Sequence, residues 1–351
     1  MKILSVGPLS GATSTCAHRH KALVKLADSV DAVNTQKKPV SLWYRIAHHL
    51  FLYGLPFKLP DSSNANKEIR QLISQNKYDI VWIDKGLTIR KDTLLYIKRI
   101  SPETKIISYT GDTMSLRHNQ SQDYLECIPY YDCHFTTKSY ILEDMRKLGA
   151  KHVRFVNNGY DPAFFYPREL SPTDIASFGE DVGFIGMWEK ERCESILFLA
   201  DNGIRVRVYG GRQWKKYKNY HPYLTIIEHG LYSEDYPKAL QAFKISLCFL
   251  RKMNFDQQTN RTTEIPACGG FMLAERTDEH LALFEEGKEA AFFSSNEELL
   301  EKCKYYLEHE EERKQIALAG MERCKTSGYS YEETIKKMLQ YIAIVDETQN
   351  E

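Results

Sequence analysis

Short apolar runs alternate with helical stretches twice along this chain, and a turn-rich segment parts the two series. Ile3-Leu4-Ser5-Val6 ends at Gly7, and residues 16–27 then place Ala22, Leu23 and Leu26 at helical spacing. Further strands are expected at 79–84, 105–109, 131–137 and 152–156, with helices over 93–99 and up to Gly149 between them. Strands and helices in turn imply a parallel sheet covered on both faces. Asn157 to Pro167 carries two prolines and a glycine, and through about residue 180 the chain lacks periodicity, which suits a linker. A second series follows at 181–186, 204–210, 224–230 and 245–250. At 351 residues the chain exceeds what one core usually supports. The expectation is an α/β protein of two Rossmann-like domains, 1–165 and 166–330.

In such sheets ligands bind beyond the carboxyl ends of strands. That rule singles out Asp84-Lys85-Gly86 and Gly111-Asp112, either acid being able to orient or deprotonate a hydroxyl. Arg19 and His20, at the helical exit of the first loop, are candidates for a phosphate or acceptor contact, equally readable as solvated helix residues. No Gly-x-Gly-x-x-Gly follows either first strand, which disfavours a dehydrogenase.

Several classes are excluded by composition. Lys plus Arg equal Asp plus Glu at 47 each, so no overall field draws in nucleic acid. There is no run of ~18 apolar residues to span a membrane, and the amino-terminal run reads as a first strand rather than a signal peptide. Eight cysteines occur without a C-x-x-C pair, so neither a zinc cluster nor a disulfide framework is expected, and a reducing cytoplasm fits. His48 and His49 lack a partner at metal-ligand spacing. Residues 40–60 place Leu42, Trp43, Ile46, Leu50 and Tyr53 near one helical face with basic groups interleaved. The stripe is read first as a helix packed on its own sheet; the alternative is an interfacial membrane helix or lipid-acceptor groove, giving peripheral contact with a membrane's inner face.

The densest chemistry lies in Thr259 to Glu275. It reads as a helix start bearing an acid, with Pro266 in the first turn, then a Gly269-Gly270 break into Phe271-Met272-Leu273. A nucleotide at this corner would meet free N–H groups and a helix dipole. Glu264 suits a ribose diol, and Arg261, three residues earlier, a diphosphate.

The run Arg261-x-x-Glu264-Ile265-Pro266-Ala267-Cys268-Gly269-Gly270 resembles the donor-binding signature of group 1 glycosyltransferases, in the CgeB-like (spore maturation protein) variant. Phe284 to Glu289, Glu297-Glu298-Leu299 and Tyr305-Tyr306-Leu307 extend the likeness, which covers most of 75–345 and is strongest from 180 to 330. It implies the GT-B architecture, two Rossmann-like domains facing across a cleft, with a terminal helix (331–351) crossing back to the first. It implies transfer of a sugar from a nucleotide-diphosphate donor, itself a substrate, to a hydroxyl of a glycan, lipid-linked glycan or similar acceptor. No Asp-x-Asp motif occurs, so no metal or other cofactor is expected, and leaving-group charge would fall to Arg261 and neighbouring cations.

Residue by residue, the likeness places Gly186 at the donor's diphosphate, with Arg192 or Lys190 in place of the family's Gly-Arg, and Gly210, Gly211 and Trp214 near the base. Cys268, Gly269 and Gly270 line the donor corner, and Arg251 and Lys252 follow the apolar strand 245–250. Many relatives carry two acids with seven residues between them; the position matching the first holds Asp256 rather than Glu. Asp112, Arg261 and Asp256 are the catalytic candidates, Asp112 as base. Group 1 relatives are commonly retaining. Two alternatives stand beside this reading: a non-catalytic sugar-nucleotide or glycan-binding envelope or coat protein, and a nucleotide-sugar epimerase.

Overall fold

The computed structural model describes residues 1–11, 13–36, 41–55 and 57–347. The chain forms two compact units, Met1–Asn157 with Tyr331–Glu351, and Asn158–Ser330.

The first unit holds β1 (Lys2–Gly7), α1 (Thr15–Leu26), β2 (Ser29–Asn34), α2 (Leu42–Leu52), α3 (Ala65–Gln75), β3 (Ile80–Asp84), α4 (Lys91–Ile100), β4 (Lys105–Thr110), α5 (Gln122–Cys127), β5 (Cys133–Thr136), α6 (Leu142–Lys147) and β6 (Val153–Phe155). Its strands run parallel in the order β2-β1-β3-β4-β5-β6. Every residue of β3 is buried, as expected for a strand with both faces covered.

The second unit holds α7 (Pro172–Phe178), β7 (Glu180–Ile185), α8 (Lys190–Asp201), β8 (Val206–Tyr209), β9 (Leu224–Ile227), α9 (Asp235–Ala242), β10 (Phe243–Cys248), α10 (Arg261–Ala267), β11 (Met272–Glu275), α11 (Asp278–Leu283), β12 (Ala291–Phe293), α12 (Asn296–Glu308) and α13 (Glu310–Thr326). Its order is β12-β11-β10-β7-β8-β9, again all parallel. This is the dinucleotide-type winding, whose strand order reverses between the first and fourth strands, here β7 and β10. Gly183 on β7 permits that pairing: a Cβ there would stand 2.1 Å from the Phe243 ring.

After the second unit, α14 (Tyr331–Glu347) returns to the first. Tyr331, Ile335, Met338 and Ile342 are buried there with Ile3, Leu23, Trp82 and Phe135. The attachment has a polar centre. Arg19 holds Asp84 bidentately, Nε to Oδ2 at 2.7 Å and Nη2 to Oδ1 at 2.9 Å, and its Nη1 donates to the Tyr331 hydroxyl at 3.3 Å. The guanidinium also lies over the Tyr109 ring, 4.1 Å from its centroid.

That pair corrects two expectations. Arg19 and Asp84 are both buried and consumed by each other, so neither is a substrate contact; they fix α1, β3 and α14 together. The boundary also differs from 165/166. Phe164 and Phe165 lie in the core of the second unit, and the Asn158 N–H donates to Gln258 Oε1 at 2.9 Å. The turn-rich stretch is therefore packed structure rather than a free linker.

Arg19→Leu strands the Asp84 carboxylate in an apolar surround, which typically costs about 3–5 kcal/mol. A lowered urea midpoint is expected; an unchanged one would mean the pair contributes nothing to holding α14.

Candidate functional site

The reversal of strand order in the second unit opens a crevice beyond the carboxyl ends of β7 and β10, and two guanidinium groups occupy its walls. Arg261, the first residue of α10, donates from Nε to the carbonyl of Ile185, the last residue of β7, at 2.9 Å. Arg192 on α8 donates from Nε to the Leu250 carbonyl just past β10 at 3.3 Å, and from Nη1 to Met187 O at 3.2 Å. Both cations sit by the Phe184 ring, Arg261 at 5.7 Å and Arg192 at 5.8 Å from its centroid.

Gly186 makes this approach possible. A Cβ at that position would stand 2.9 Å from Arg261 Nη2 and 2.6 Å from the Phe184 ring. Its carbonyl accepts from Trp214 Nε1 at 3.0 Å. The Trp214 ring in turn fills the space over Gly210, where a Cβ would meet Trp214 Cδ1 at 2.5 Å and the Gly186 carbonyl at 2.4 Å.

The charges are only partly balanced. Glu189 reaches Arg192 at 3.7 Å and Arg251 at 3.0 Å. Among the described residues no carboxylate lies within ion-pair distance of Arg261, and its Nη1 and Nη2 make no hydrogen bond. Burial, and then repulsion from Arg261, lower the Arg192 guanidinium to about 10. An anion placed between the two would relieve both effects.

One turn along α10, Glu264 is buried, and its Oε2 accepts from the Tyr236 hydroxyl at 2.7 Å. Among the described residues Oε1 has no partner. Burial raises this carboxyl to about 7, against the Tyr236 bond and the Arg261 charge, which favour ionisation. The helix itself is tied in place by Thr262, whose hydroxyl meets His280 Nε2 at 2.8 Å while His280 Nδ1 contacts the Glu275 carbonyl at 2.6 Å. Burial lowers His280 to about 4, so the ring is neutral.

The structure thus brings Gly186, Arg192, Arg261 and Glu264 into one place and sends other candidates elsewhere. Gly269-Gly270 lies at the carboxyl end of α10, not at a helix start. Gly269 has φ +78°, its N–H donates to Pro266 O at 2.8 Å, and that of Gly270 donates to Ile265 O at 3.0 Å. This is a Schellman closure. The N–H groups are used, and the dipole end there is the negative one, so neither glycine offers a phosphate site. Cys268 is fully buried in the core, its thiol pushed well up by burial, which removes it as a ligand contact.

Gly210 and Trp214 are likewise scaffold: Trp214 is fully buried and has no free face for a base. The Lys252 ammonium is held by Glu275, whose other oxygen accepts from the Leu250 N–H at 3.0 Å. Lys190 is exposed and faces Glu194 at 3.7 Å. Asp256 is half-buried in the loop between β10 and α10, its N–H on the Arg251 carbonyl at 3.2 Å. In the first unit, Asp112 follows β4 and pairs with Lys85 Nζ at 2.8 Å; Lys85 holds a positive φ of 65°.

Tyr236, Glu189 and His280 were not singled out by sequence. Each acts on a residue remote in the chain, and no local pattern marks such a role. Among the described residues no group of three His, Cys, Asp or Glu stands together as metal ligands, and no helix is long and apolar enough to cross a membrane.

A Rossmann-like unit with an anion-seeking crevice, paired with a second such unit and a returning helix, is the GT-B architecture, and known proteins agree. Residues 192–340 match the family profile described as "Glycosyl transferase-like". Comparison with curated proteins gives no match. Among solved structures, HepE from Anabaena in complex with UDP-glucose is 14% identical with TM-score 0.64, covering 97% of this chain and 100% of that one. Sucrose-phosphate synthase from Thermosynechococcus elongatus is 12% identical with TM-score 0.69, covering 99% and 100%. An alpha-glucosyltransferase in complex with UDP and a 13-mer DNA containing an HMU base is 14% identical with TM-score 0.65, covering 98% and 99%.

The Glu264 environment gives a pH signature. Its folded-state value lies above the ordinary 4.5, so the folded form binds the proton more tightly than the unfolded one. That contribution is fully present below 4.5 and is lost as pH rises through about 7. Melting curves should show wild type losing stability relative to Glu264→Gln across that window; parallel curves would contradict a buried, raised carboxyl.

Proposed function

We propose that the second unit binds a nucleoside-diphosphate sugar, with uridine diphosphate as its carrier, and that the chain transfers the sugar to a hydroxyl of a glycan or lipid-linked glycan. The observation that carries this reading is the Arg261 guanidinium: anchored by Nε, its other two nitrogens free, at the switch point of a Rossmann-like sheet and beside a second buried arginine. Such a pair suits a diphosphate, whose oxygens a planar guanidinium grips two at a time. Glu264 Oε1 is the matching acceptor for a ribose hydroxyl, with Tyr236 fixing the carboxyl's orientation. The neighbours solved with UDP and UDP-glucose support the choice of carrier.

As the glycosidic bond breaks, negative charge grows on the leaving diphosphate. Arg261 and Arg192 are already oriented, so they stabilise that charge without reorganising. Asp112 serves as the base that takes the acceptor's hydroxyl proton, and Asp256 stands at the family position of the first acid, beside the transferred sugar. We place the chain with the CgeB-like variant of group 1 on the run from Arg261 to Gly270.

Arg261→Ala should lower turnover by ~10²–10³, the usual cost of one lost donor to a developing anion. Gly186→Ala, which displaces the same guanidinium, should weaken UDP binding with the circular dichroism spectrum unchanged. Calorimetry with UDP and a transfer assay over a panel of UDP-sugars check both; wild-type affinity and rate in the two variants would remove the diphosphate role.

Asp112→Asn should abolish transfer while UDP binding persists. Full transfer activity would assign the base elsewhere. Conversion of the donor without any acceptor would instead favour an epimerase.

A further inference from the structure

The helix α2 carries an apolar surface that its own domain does not cover. Only Ala47 and Phe51 of this helix are buried, and they pack on Leu59. Leu42 is 72% exposed, Trp43 58% and Tyr53 74%, with Ile46, Leu52 and Leu55 also exposed. This corrects the expectation that the stripe packs on its own sheet: the smaller Ala47 and a single Phe make that contact, and the larger side chains face outward. Val40 lies outside the described residues.

Cations outnumber carboxylates around this face. From Ser41 to Pro60 the sequence contains Arg45 and Lys58 and no Asp or Glu. Trp43 shares a cavity of about 640 Å³ with Arg90 and Lys91, and a Cβ on Gly54 would stand 3.3 Å from the Arg117 side chain. Among the described residues none of Arg45, Arg90, Lys91 and Arg117 has a carboxylate within ion-pair distance. The acids that line the same cavity are engaged: Glu126 and Asp123 by Lys58 at 2.9 and 3.5 Å, and Asp92 by Arg70 at 2.7 Å.

We infer that α2 and the turn after it dock the protein on a bilayer rich in anionic phospholipid. The helix has 11 residues, too few to span hydrocarbon, so it lies in the interface with its apolar face down. Trp43 near one end and Tyr53 at the other are the side chains that favour the headgroup boundary, and the unpaired arginines and Lys91 meet lipid phosphates. A second copy of this chain fits less well, because a two-fold contact through this face would bring like charges together. The inference does not depend on the donor site, which belongs to the other unit.

The test is co-sedimentation of the full chain with vesicles of phosphatidylcholine alone, or of phosphatidylcholine with one part in three phosphatidylglycerol. Wild type should pellet with the anionic vesicles only, and less as salt is raised. The double variant Leu42→Ser, Trp43→Ser should stay in solution, and Arg45→Glu should weaken partitioning by about tenfold, on the scale of charge attraction at an anionic surface. UDP calorimetry on the same preparations should be unaltered, which separates loss of docking from misfolding or failure of the donor reading. Failure to pellet with anionic vesicles, or equal pelleting by wild type and both variants, would overturn the inference. So would a wild-type dimer that the double variant dissociates.

Discussion

A guanidinium laid across the end of a strand is the contact on which the rest of the site turns. Arg261 reaches the Ile185 carbonyl with its guanidinium laid against the bare backbone of Gly186, and Gly186 is held by the Trp214 indole, which fits only because Gly210 is bare as well. The two glycines and the tryptophan therefore exist to place a cation, not to touch a ligand. Once placed, that cation shares Phe184 with Arg192, and an anion between the two would relieve the repulsion that Glu189 offsets only in part. Glu264 sits one helical turn away, so the same short helix presents a phosphate-seeking group and a hydroxyl acceptor at fixed separation.

The two units treat the same topological opportunity differently. In the first, the order reverses between β1 and β3, and the ends of those strands are filled by Arg19, Asp84 and Cys16. The Cys16 thiol lies 3.2 Å from Asp84 Oδ1, and a Cβ on Gly7 would meet Asp84 at 2.8 Å. A satisfied, buried ion pair there serves attachment of α14. In the second unit the corresponding position holds Arg261, without an ion-pair partner among the described residues, and Arg192, which shares the single carboxylate of Glu189 with Arg251. On the proposed reading, the crevice that takes an anion is the one whose charge is not already paired.

Much of this was legible in the sequence, because fully buried parallel strands leave unbroken apolar runs. β3, β4, β7 and β10 were read in place for that reason. β2 leaves no such run: it is an edge strand in which only Val33 is buried. β12 is fully buried but only three residues long, too short a run to register as a strand. Arg261 and Glu264 are legible through residue type and spacing, and the helix does start at Arg261 with Glu264 in its first turn. Pro266, expected in the first turn, stands near the end of this short helix, and the N–H groups of the glycine break are consumed in closing it. Trp214 looked like a platform for a base because sequence does not reveal that a glycine four residues earlier swallows its ring. The outward face of α2 was misjudged because periodicity shows that a stripe exists, not what lies opposite it.

The most direct test of the account is a crystal structure of the protein with UDP. The account predicts the diphosphate within hydrogen-bonding distance of the free Arg261 nitrogens and the ribose on Glu264 Oε1, with Tyr236 still bound to Oε2. A nucleotide lodged at the Gly269-Gly270 corner, or in the first unit with Arg261 unchanged, would contradict it.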